Sequence, residues 1–464
     1  MPAQADLDLA VNCGSSSIKF ALYHKDTRAI LVSGSAANVQ GDQPATYTFK
    51  HAPASSDAHE GKGKGSGDGP ELSESQERKL EGKTSYQDIF TEILKDVTRE
   101  EVLGPEREKR IRLVAHRIVH GGTADGPIVI RHGDKDEKEV LDRMEEVSSF
   151  APLHNHHAML IVKECLEHLP EAHSVLCFDT LFHQTIPQFR RQYAISTPPH
   201  KTPVPLVKYG FHGLSYANIR DQMAEELNKP KDQVNLVVAH LGSGGSCCLI
   251  QNGESKQTTM GVTPLEGLPG GTRSGTVDPS LIFHHTPDCS ETVKWSGRDI
   301  TKGEYVLNKE SGFKALCGTN NFGTITTRAF PSSSSPEDAP QNEEHMNARL
   351  TYQLYLDHLL AVLSPYLSHV FSSPSNSILD GLVFSGGIGE KSSQLRADVV
   401  RHFAWIEQLA GTGGGIDEAK NGAKVEGRRE ITKEGSKVRA WVVETSEEDE
   451  MVRMAEEELT KLGK

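Results

Sequence analysis

The sequence predicts an α/β protein made of two related domains. Three observations carry that expectation. Short apolar runs of strand length alternate with longer stretches of helical periodicity through both halves of the chain, the pattern of sheets covered by helices. An apolar run, a small-residue turn and a second apolar run occur together twice, around Gly14 and around Gly242, which reads as an internal repeat. The chain has 464 residues, more than a single hydrophobic core usually organises.

Taken in order, residues 7–11, 18–23 and 29–32 read as three antiparallel strands, with Asn12-Cys13-Gly14-Ser15-Ser16-Ser17 as the first turn. Residues 41–83 are rich in Gly, Ser, Lys and Glu and read as a polar surface insertion. Its Glu81-Gly82-Lys83-Thr84 mimics the end of a P-loop, but Glu77 stands where the first glycine belongs, so a Walker site is rejected. A helix is expected over 86–103 with Ile89, Ile93 and Val97 on one face, then a strand from Ile111 running into Arg117. Helices follow at 137–150 and from about Pro152, and a buried strand at 174–178 ends in Asp179. Residues 209–215 lead into a helix ending near Asn228. The stretch 235–279 carries two apolar runs about the Gly242–Ser246 turn, and then a glycine-rich loop around Arg273. A long helix is expected over 343–371, kinked at Pro365, after a loop at 331–341. Strands at 379–384 and 440–443 complete the second half, and Thr445-Ser446-Glu447-Glu448 reads as a capping box opening the last helix.

The formal net charge of −14 argues against general nucleic-acid binding. No run approaches the ~20 apolar residues that span a bilayer, and residues 1–6 have neither the basic nor the apolar part of a secretory signal. The seven cysteines are scattered without a C-x-x-C pair, which fits reduced thiols in the cytoplasm better than a disulfide frame or a zinc site.

Two arginines, a strand-end carboxylate and several glycine turns suit phosphoryl transfer. That reaction asks the protein for charge neutralisation and in-line positioning rather than covalent work. Glycine turns let backbone N–H groups approach an anion, and a guanidinium on such a loop matches phosphate. On the residues alone, Glu447 reads as a carboxylate favoured at a helix start, and the hairpin near Gly242 as an ordinary turn.

The stretches VNCGSSSIKF, AHRIVHGG, APLHN, CFDTLFHQTIP, YGFHGLSY, HLGSGG, TPLEGLPGGTRSGTVDP and FSGGIGE occur in that order, with TSEE near the end. As an ordered set they resemble the acetate kinases, members of the actin-like and sugar-kinase ATPase superfamily, over nearly the whole chain. The resemblance implies two duplicated ribonuclease H-like domains with an interdomain cleft: residues 1–182 completed by 446–464, and 183–445. It implies reversible phosphoryl transfer between ATP and acetate, giving ADP and acetyl phosphate, with Mg²⁺ or Mn²⁺, in a homodimer.

By the same resemblance, Asp179, Arg117, Arg273, His212 and His154 are expected to be catalytic. The arginines would bind carboxyl and phosphoryl groups, and Asp179 would orient the acceptor or the metal. Asn12 and Glu447 match the metal-organising positions. Ser15, Ser17, Lys19, His240, Gly242, Ser243, Gly244, Asn321, Gly386, Gly387 and Ile388 fall to the phosphate and nucleotide side. Val119, Leu153, Phe211 and Pro264, with Arg117, would hold the substrate, the apolar ones around its methyl group. Three departures stand out. Ser243 replaces a usual asparagine, residues 318–323 lack the usual acid and arginine of the adenosine segment, and Lys391 follows GGIGE in place of asparagine. They leave pyrophosphate as an alternative donor. Propionate or butyrate as acceptor, and a non-kinase ATPase scaffold, are the other readings.

Overall fold

The computed structural model describes residues 6–14, 16–40, 44–51, 76–80, 84–98, 107–150, 155–295, 298–331, 342–371 and 378–464. The chain divides into two units, Met1–Leu181 with Ser446–Lys464, and Phe182–Thr445.

In the first unit, β1 (Leu7–Cys13), β2 (Ser17–His24), β3 (Ile30–Ala37), β4 (Ala45–His51), β5 (Gln76–Leu80), β6 (Ile111–Ile118), β7 (Ile128–Ile130) and β8 (His173–Phe178) form one sheet. Its order among the described residues is β5-β4-β3-β2-β1-β6-β8-β7. β1, β2 and β3 are antiparallel neighbours, as their short connections require, while β1, β6 and β8 run parallel. β1 is buried along its whole length, so both faces of the sheet must be covered there. The helix Glu447–Lys461 packs against β1, β6 and β8, and the helix Asn155–His168 packs against β6 and against the helix Tyr86–Val97. One price of a two-sided strand is Asp8, fully buried in β1. Arg112 answers it with a fork of two hydrogen bonds, 3.0 and 2.8 Å.

The polar stretch 41–83 is not all insertion. Its two ends supply β4 and β5, because the alternation Ala45, Tyr47, Phe49 buries one side of β4 against the sheet. Average composition concealed that period. Residues 52–75 lie outside the described residues, as do 332–341 of the second predicted loop.

The second unit repeats the plan. β9 (Leu236–Leu241), β10 (Gly245–Gln251), β11 (Glu254–Thr258), β14 (Gly381–Ser385), β15 (Arg428–Glu430) and β16 (Ala440–Val443) form a sheet of order β11-β10-β9-β14-β16-β15. β12 (Thr292–Trp295) and β13 (Arg298–Thr301) make a separate hairpin. In each large sheet, three antiparallel strands are followed by two parallel ones inserted beside the first. This shared order is the ribonuclease H-like duplication. Val237, Ala239 and Leu241 of β9 face a core that includes Tyr352, Leu359 and Leu363 of the helix Glu343–Phe371. Leu236 and Val238 face the other way, towards Tyr216, Ile219 and Met223 of the helix Gly213–Glu226. The long helix continues through Pro365 to Phe371, with Tyr366, Leu367 and Val370 buried in the core beyond it.

After β14 the chain turns at Gly386 into the short helix Gly386–Lys391. The buried Arg396 pins that helix to its surroundings. It donates to the carbonyls of Gly389 (2.8 Å) and Glu390 (2.7 Å), to Asn421 Oδ1 (2.8 Å) and to the Asn421 carbonyl (2.6 Å). Burial, and secondarily Arg429, pushes its guanidinium pKa down to about 10, so it remains a cation at neutral pH. Arg396→Met would fill the space but strand those acceptors. We expect a loss of about 3–5 kcal/mol in denaturant unfolding; a change below about 1 kcal/mol would refute the pinning role.

Candidate active site

Four predicted residues meet at the carboxyl ends of β1, β6 and β8. Asn12 and Arg117 are next to last in β1 and β6, and Asp179 follows β8. The parallel register sets Val11 beside His116 and Arg117 beside Cys177, which brings the three ends together. Arg117 Nη2 lies 2.8 Å from Asp179 Oδ2, and its Nε 3.2 Å from Oδ1. Its Nη1 lies 2.8 Å from Glu447 Oε2 and 3.3 Å from Asn12 Oδ1. The Asn12 amide donates to Glu447 Oε2 and Glu448 Oε1, both at 2.8 Å. Asp179 is fully buried. Burial by itself would lower the Arg117 pKa, but Asp179, Glu447 and Glu448 outweigh it and raise the value.

The two glutamates are placed by a cap one residue later than predicted. Ser446, not Thr445, is the N-cap, and its hydroxyl accepts from the Asp449 amide at 3.2 Å. Glu447 and Glu448 therefore occupy the first helical positions, where the helix dipole favours carboxylates, and both reach Asn12. Glu448 was not foreseen. Neither was Asn155, whose side chain accepts from the His120 amide (2.9 Å) and donates to its carbonyl (2.8 Å). That two-point bond holds the segment just after Arg117, including the buried Val119. Its signal was a buried-type position at a helix start within APLHN. His157 stacks on Tyr86, with ring centroids 4.1 Å apart, so it is part of the packing. Lys19 is exposed and pairs with Asn12 across β1 and β2. Ser17 opens β2, its carbonyl accepting from the Gly14 amide at 2.8 Å. Ser15, Leu153 and His154 lie outside the described residues.

The second unit gathers a different set. His212 caps the helix Gly213–Glu226 with φ +59°, a conformation that costs energy in a residue with a Cβ and is held only where the surroundings enforce it. Its Nδ1 lies 2.8 Å from Ser246 Oγ, which also meets the Tyr216 hydroxyl at 2.5 Å. The His240 ring, in β9, is 4.6 Å from that of His212. The strained turn wraps His183, where a Cβ at Gly210 (φ +75°) would come within 2.6 Å of the ring. His183 Nε2 faces the Phe211 carbonyl at 2.9 Å, so it carries the proton, and Nδ1 accepts from Ser255 at 2.8 Å. Burial pushes His183 down to about 4, and the ring is neutral. Phe211 is buried; Pro264 is half-buried in the loop before Arg273.

Around Gly242–Gly244 the backbone does the positioning. The Gly242 amide donates to the Gly244 carbonyl at 3.1 Å, and Gly271 donates to the Ser243 carbonyl at 2.9 Å. The amides of Ser243 and Gly244 have no backbone partner among the described residues. A Cβ on Gly244 would lie 3.0 Å from Arg273 Nη1, so the guanidinium covers that turn. Burial pushes Arg273 down to about 10. Gly242, Ser243, Asn321, Phe322, Gly387 and Ile388 line part of one cavity of about 490 Å³. Asn321 caps the helix Phe322–Ala329 through its carbonyl oxygen, which accepts from Thr324 at 3.0 Å. Gly386 serves the turn by its φ of +73°. Its amide already donates to Glu390 Oε1 at 3.0 Å, whereas nothing lies within 4 Å of a Cβ built on Gly387.

The Acetokinase family profile matches residues 68–453. A probable acetate kinase of Cryptococcus neoformans is 45% identical over 459 residues, 99% of each chain. The chain belongs to the acetokinase family. An acetate kinase of Francisella tularensis is 33% identical, covering 89% of this chain and 90% of its own. Among solved structures, a propionate kinase of Francisella tularensis is 30% identical at a TM-score of 0.72, covering 97% of this chain and 98% of its own. An acetate kinase of Porphyromonas gingivalis is 26% identical at 0.70, covering 99% and 100%. The acetokinase assignment makes the chain a phosphotransferase of the acetate kinase class, with ATP and ADP as the family's nucleotides. It does not favour the pyrophosphate, longer-acid or scaffold readings.

In this acetokinase the first-unit cluster has a measurable cost. Arg117→Met would leave Asp179 and Glu447 without their cation, and we expect about 3–5 kcal/mol of lost stability. Adding Asp179→Asn should return at least about 1 kcal/mol. Additive losses in the double variant would show that the pair is not coupled.

Proposed function

We propose that this chain transfers the γ-phosphoryl group of ATP directly to acetate, reversibly, giving ADP and acetyl phosphate. A carboxylate oxygen forms the new P–O bond as the bond to the ADP oxygen breaks. Acetate is already ionised at neutral pH, its acid belonging with carboxyls of pKa ~4–5, so no general base is required. The need is instead to bring two anionic groups together.

The observation that supports this best is the placing of Arg273 over Gly244, beside the amides of Ser243 and Gly244, with Ser243 also lining the cavity. In this reading the cavity takes the nucleotide, the Ser243–Gly244 turn its phosphates, and Arg273 the group in transit. His212, its Nδ1 tied to Ser246, would present Nε2 to the same group. Arg117 would meet the acceptor carboxylate, with Asp179 keeping the guanidinium in place. Val119, Phe211 and Pro264 are the apolar residues this reading assigns to the methyl group.

Asp179, Glu447, Glu448 and Asn12 are hard oxygen donors, the kind Mg²⁺ or Mn²⁺ takes. Three carboxylates against one guanidinium leave two negative charges, which a divalent cation offsets. Among the described residues no three His, Cys, Asp or Glu side chains stand close enough to hold an ion unaided. This agrees with a metal held by one or two carboxylates together with phosphate oxygens. Such an ion would neutralise charge on the transferring phosphate. A homodimer in the cytoplasm completes the reading. The seven free, buried cysteines suit that compartment.

The test is formation of acetyl hydroxamate from acetate, ATP and hydroxylamine, run beside propionate and butyrate. Acetate should give the highest kcat/KM, with propionate lower by roughly ten- to a hundredfold; a butyrate preference would overturn the assignment. Arg273→Ala should lower turnover by about 10²–10³, with melting curves run alongside to establish that the variant is folded. Near-normal turnover would remove Arg273 from the reaction.

A further inference from the structure

The cavity of the second unit has a wall that the phosphate chemistry does not use. Gln394, in the helix Ser393–His402, lines it together with Phe322, Thr326, Thr327 and Lys391. Its Nε2 donates to both oxygens of Asp398, one helical turn on, at 3.0 Å each. Asp398 also accepts from the Tyr352 hydroxyl at 2.6 Å and from Arg401 at 3.1 Å. An ionised carboxylate can only accept, so the amide must turn its NH₂ to Asp398. That fixes which end of Gln394 is which, and its carbonyl oxygen is the acceptor left for a ligand.

The other polar side chains narrow the choice. The Thr326 and Thr327 hydroxyls donate to the carbonyls of Phe322 (2.9 Å) and Gly323 (3.0 Å), so their protons are already used. Lys391 is exposed and is the competing donor. Phe322 also lines the cavity, but it is buried with its ring packed against Phe313, Tyr352 and Tyr355, and apolar contact would not distinguish one base from another. Identity has to come from a hydrogen bond, and the fixed group here is an acceptor.

We propose that Gln394, oriented by Asp398, selects the base of the phosphoryl donor, favouring adenine, which presents an exocyclic amine, over hypoxanthine or guanine, which present a carbonyl oxygen in its place. The inference rests on reading this cavity as the nucleotide site. Adenine and hypoxanthine differ at that position by a donor against an acceptor. With hypoxanthine two acceptors would face each other, leaving both without a partner. Gln394 makes the contact, and Asp398 is a positioning residue acting through it.

The experiment measures kcat and KM for ATP and ITP, with acetate saturating, in the full-length enzyme. The unaltered protein should prefer ATP by roughly tenfold or more in kcat/KM. Gln394→Met should lower kcat/KM for ATP about tenfold through KM, leave ITP unchanged, and so collapse the ratio. Asp398→Asn frees the amide to rotate and should narrow the ratio with Gln394 intact, whereas a purely structural role would depress both nucleotides alike. Melting curves of both variants establish that they are folded. Equal use of ATP and ITP by the unaltered enzyme, or an unchanged ratio in Gln394→Met, overturns the proposal. So does a preference for ITP, which would assign the base contact to Lys391. Turnover with inorganic pyrophosphate and with neither nucleotide would instead overturn the reading of the cavity itself.

Discussion

A guanidinium at the carboxyl ends of parallel strands has to be neutralised, and much of the first unit follows from how Arg117 is. Removing such a charge from water costs several kcal/mol unless carboxylates of good geometry repay it. Here the partners come from distant parts of the chain: Asp179 after β8, and Glu447 from the last helix, with the Asn12 amide joining Glu447 and Glu448 to the end of β1. The C-terminal helix therefore belongs to the first unit for an electrostatic as well as a packing reason. Its apolar side covers β1, β6 and β8, while its acidic start completes the charge pattern.

The same strand order in the second unit carries different chemistry at the corresponding ends. Where β6 ends with Arg117 next to last, β14 ends in Ser385 and turns at Gly386. Where the first unit presents charged side chains, the second presents backbone, brought close by glycines. A Cβ at Gly270 would lie 2.7 Å from the Ser243 carbonyl, and one at Gly312 would lie 2.2 Å from the Gly270 carbonyl. Neither loop could take its path with a larger residue. This bears on Ser243, which stands where relatives were expected to have asparagine. Its carbonyl already accepts from Gly271, and its amide has no backbone partner among the described residues. The backbone, common to both residue types, supplies what the turn requires.

Strand and helix positions were legible because their periods are simple. The continuous apolar run of β9 is that of a strand buried on both faces, and the apolar stripe of Ile89, Ile93 and Val97 specifies one buried helix face. What escaped was local or long-range. The cap at Ser446 is one residue from the expected Thr445, since T-S-E-E offers two hydroxyls and only backbone geometry chooses between them. Glu447 looked like a helix-start carboxylate, and it is one. Its bond to Arg117 spans a separation that no local pattern encodes. Asn155 was quoted only as part of a motif, because an asparagine that bridges one backbone amide and carbonyl looks like any other. β4 was hidden because its alternation lies in a stretch whose average is polar.

The two arginines expected to act together sit in opposite electrostatic environments. Carboxylates raise the pKa of Arg117 against the effect of burial, whereas burial alone accounts for the lowering at Arg273. The first cluster thus has an excess of negative charge, and a cation lowers its energy. The second has a desolvated positive charge, and an anion lowers its energy. For a phosphotransferase, whose substrates are anions, the roles proposed for the two arginines differ accordingly: Arg117 is held among carboxylates, and Arg273 is desolvated by burial.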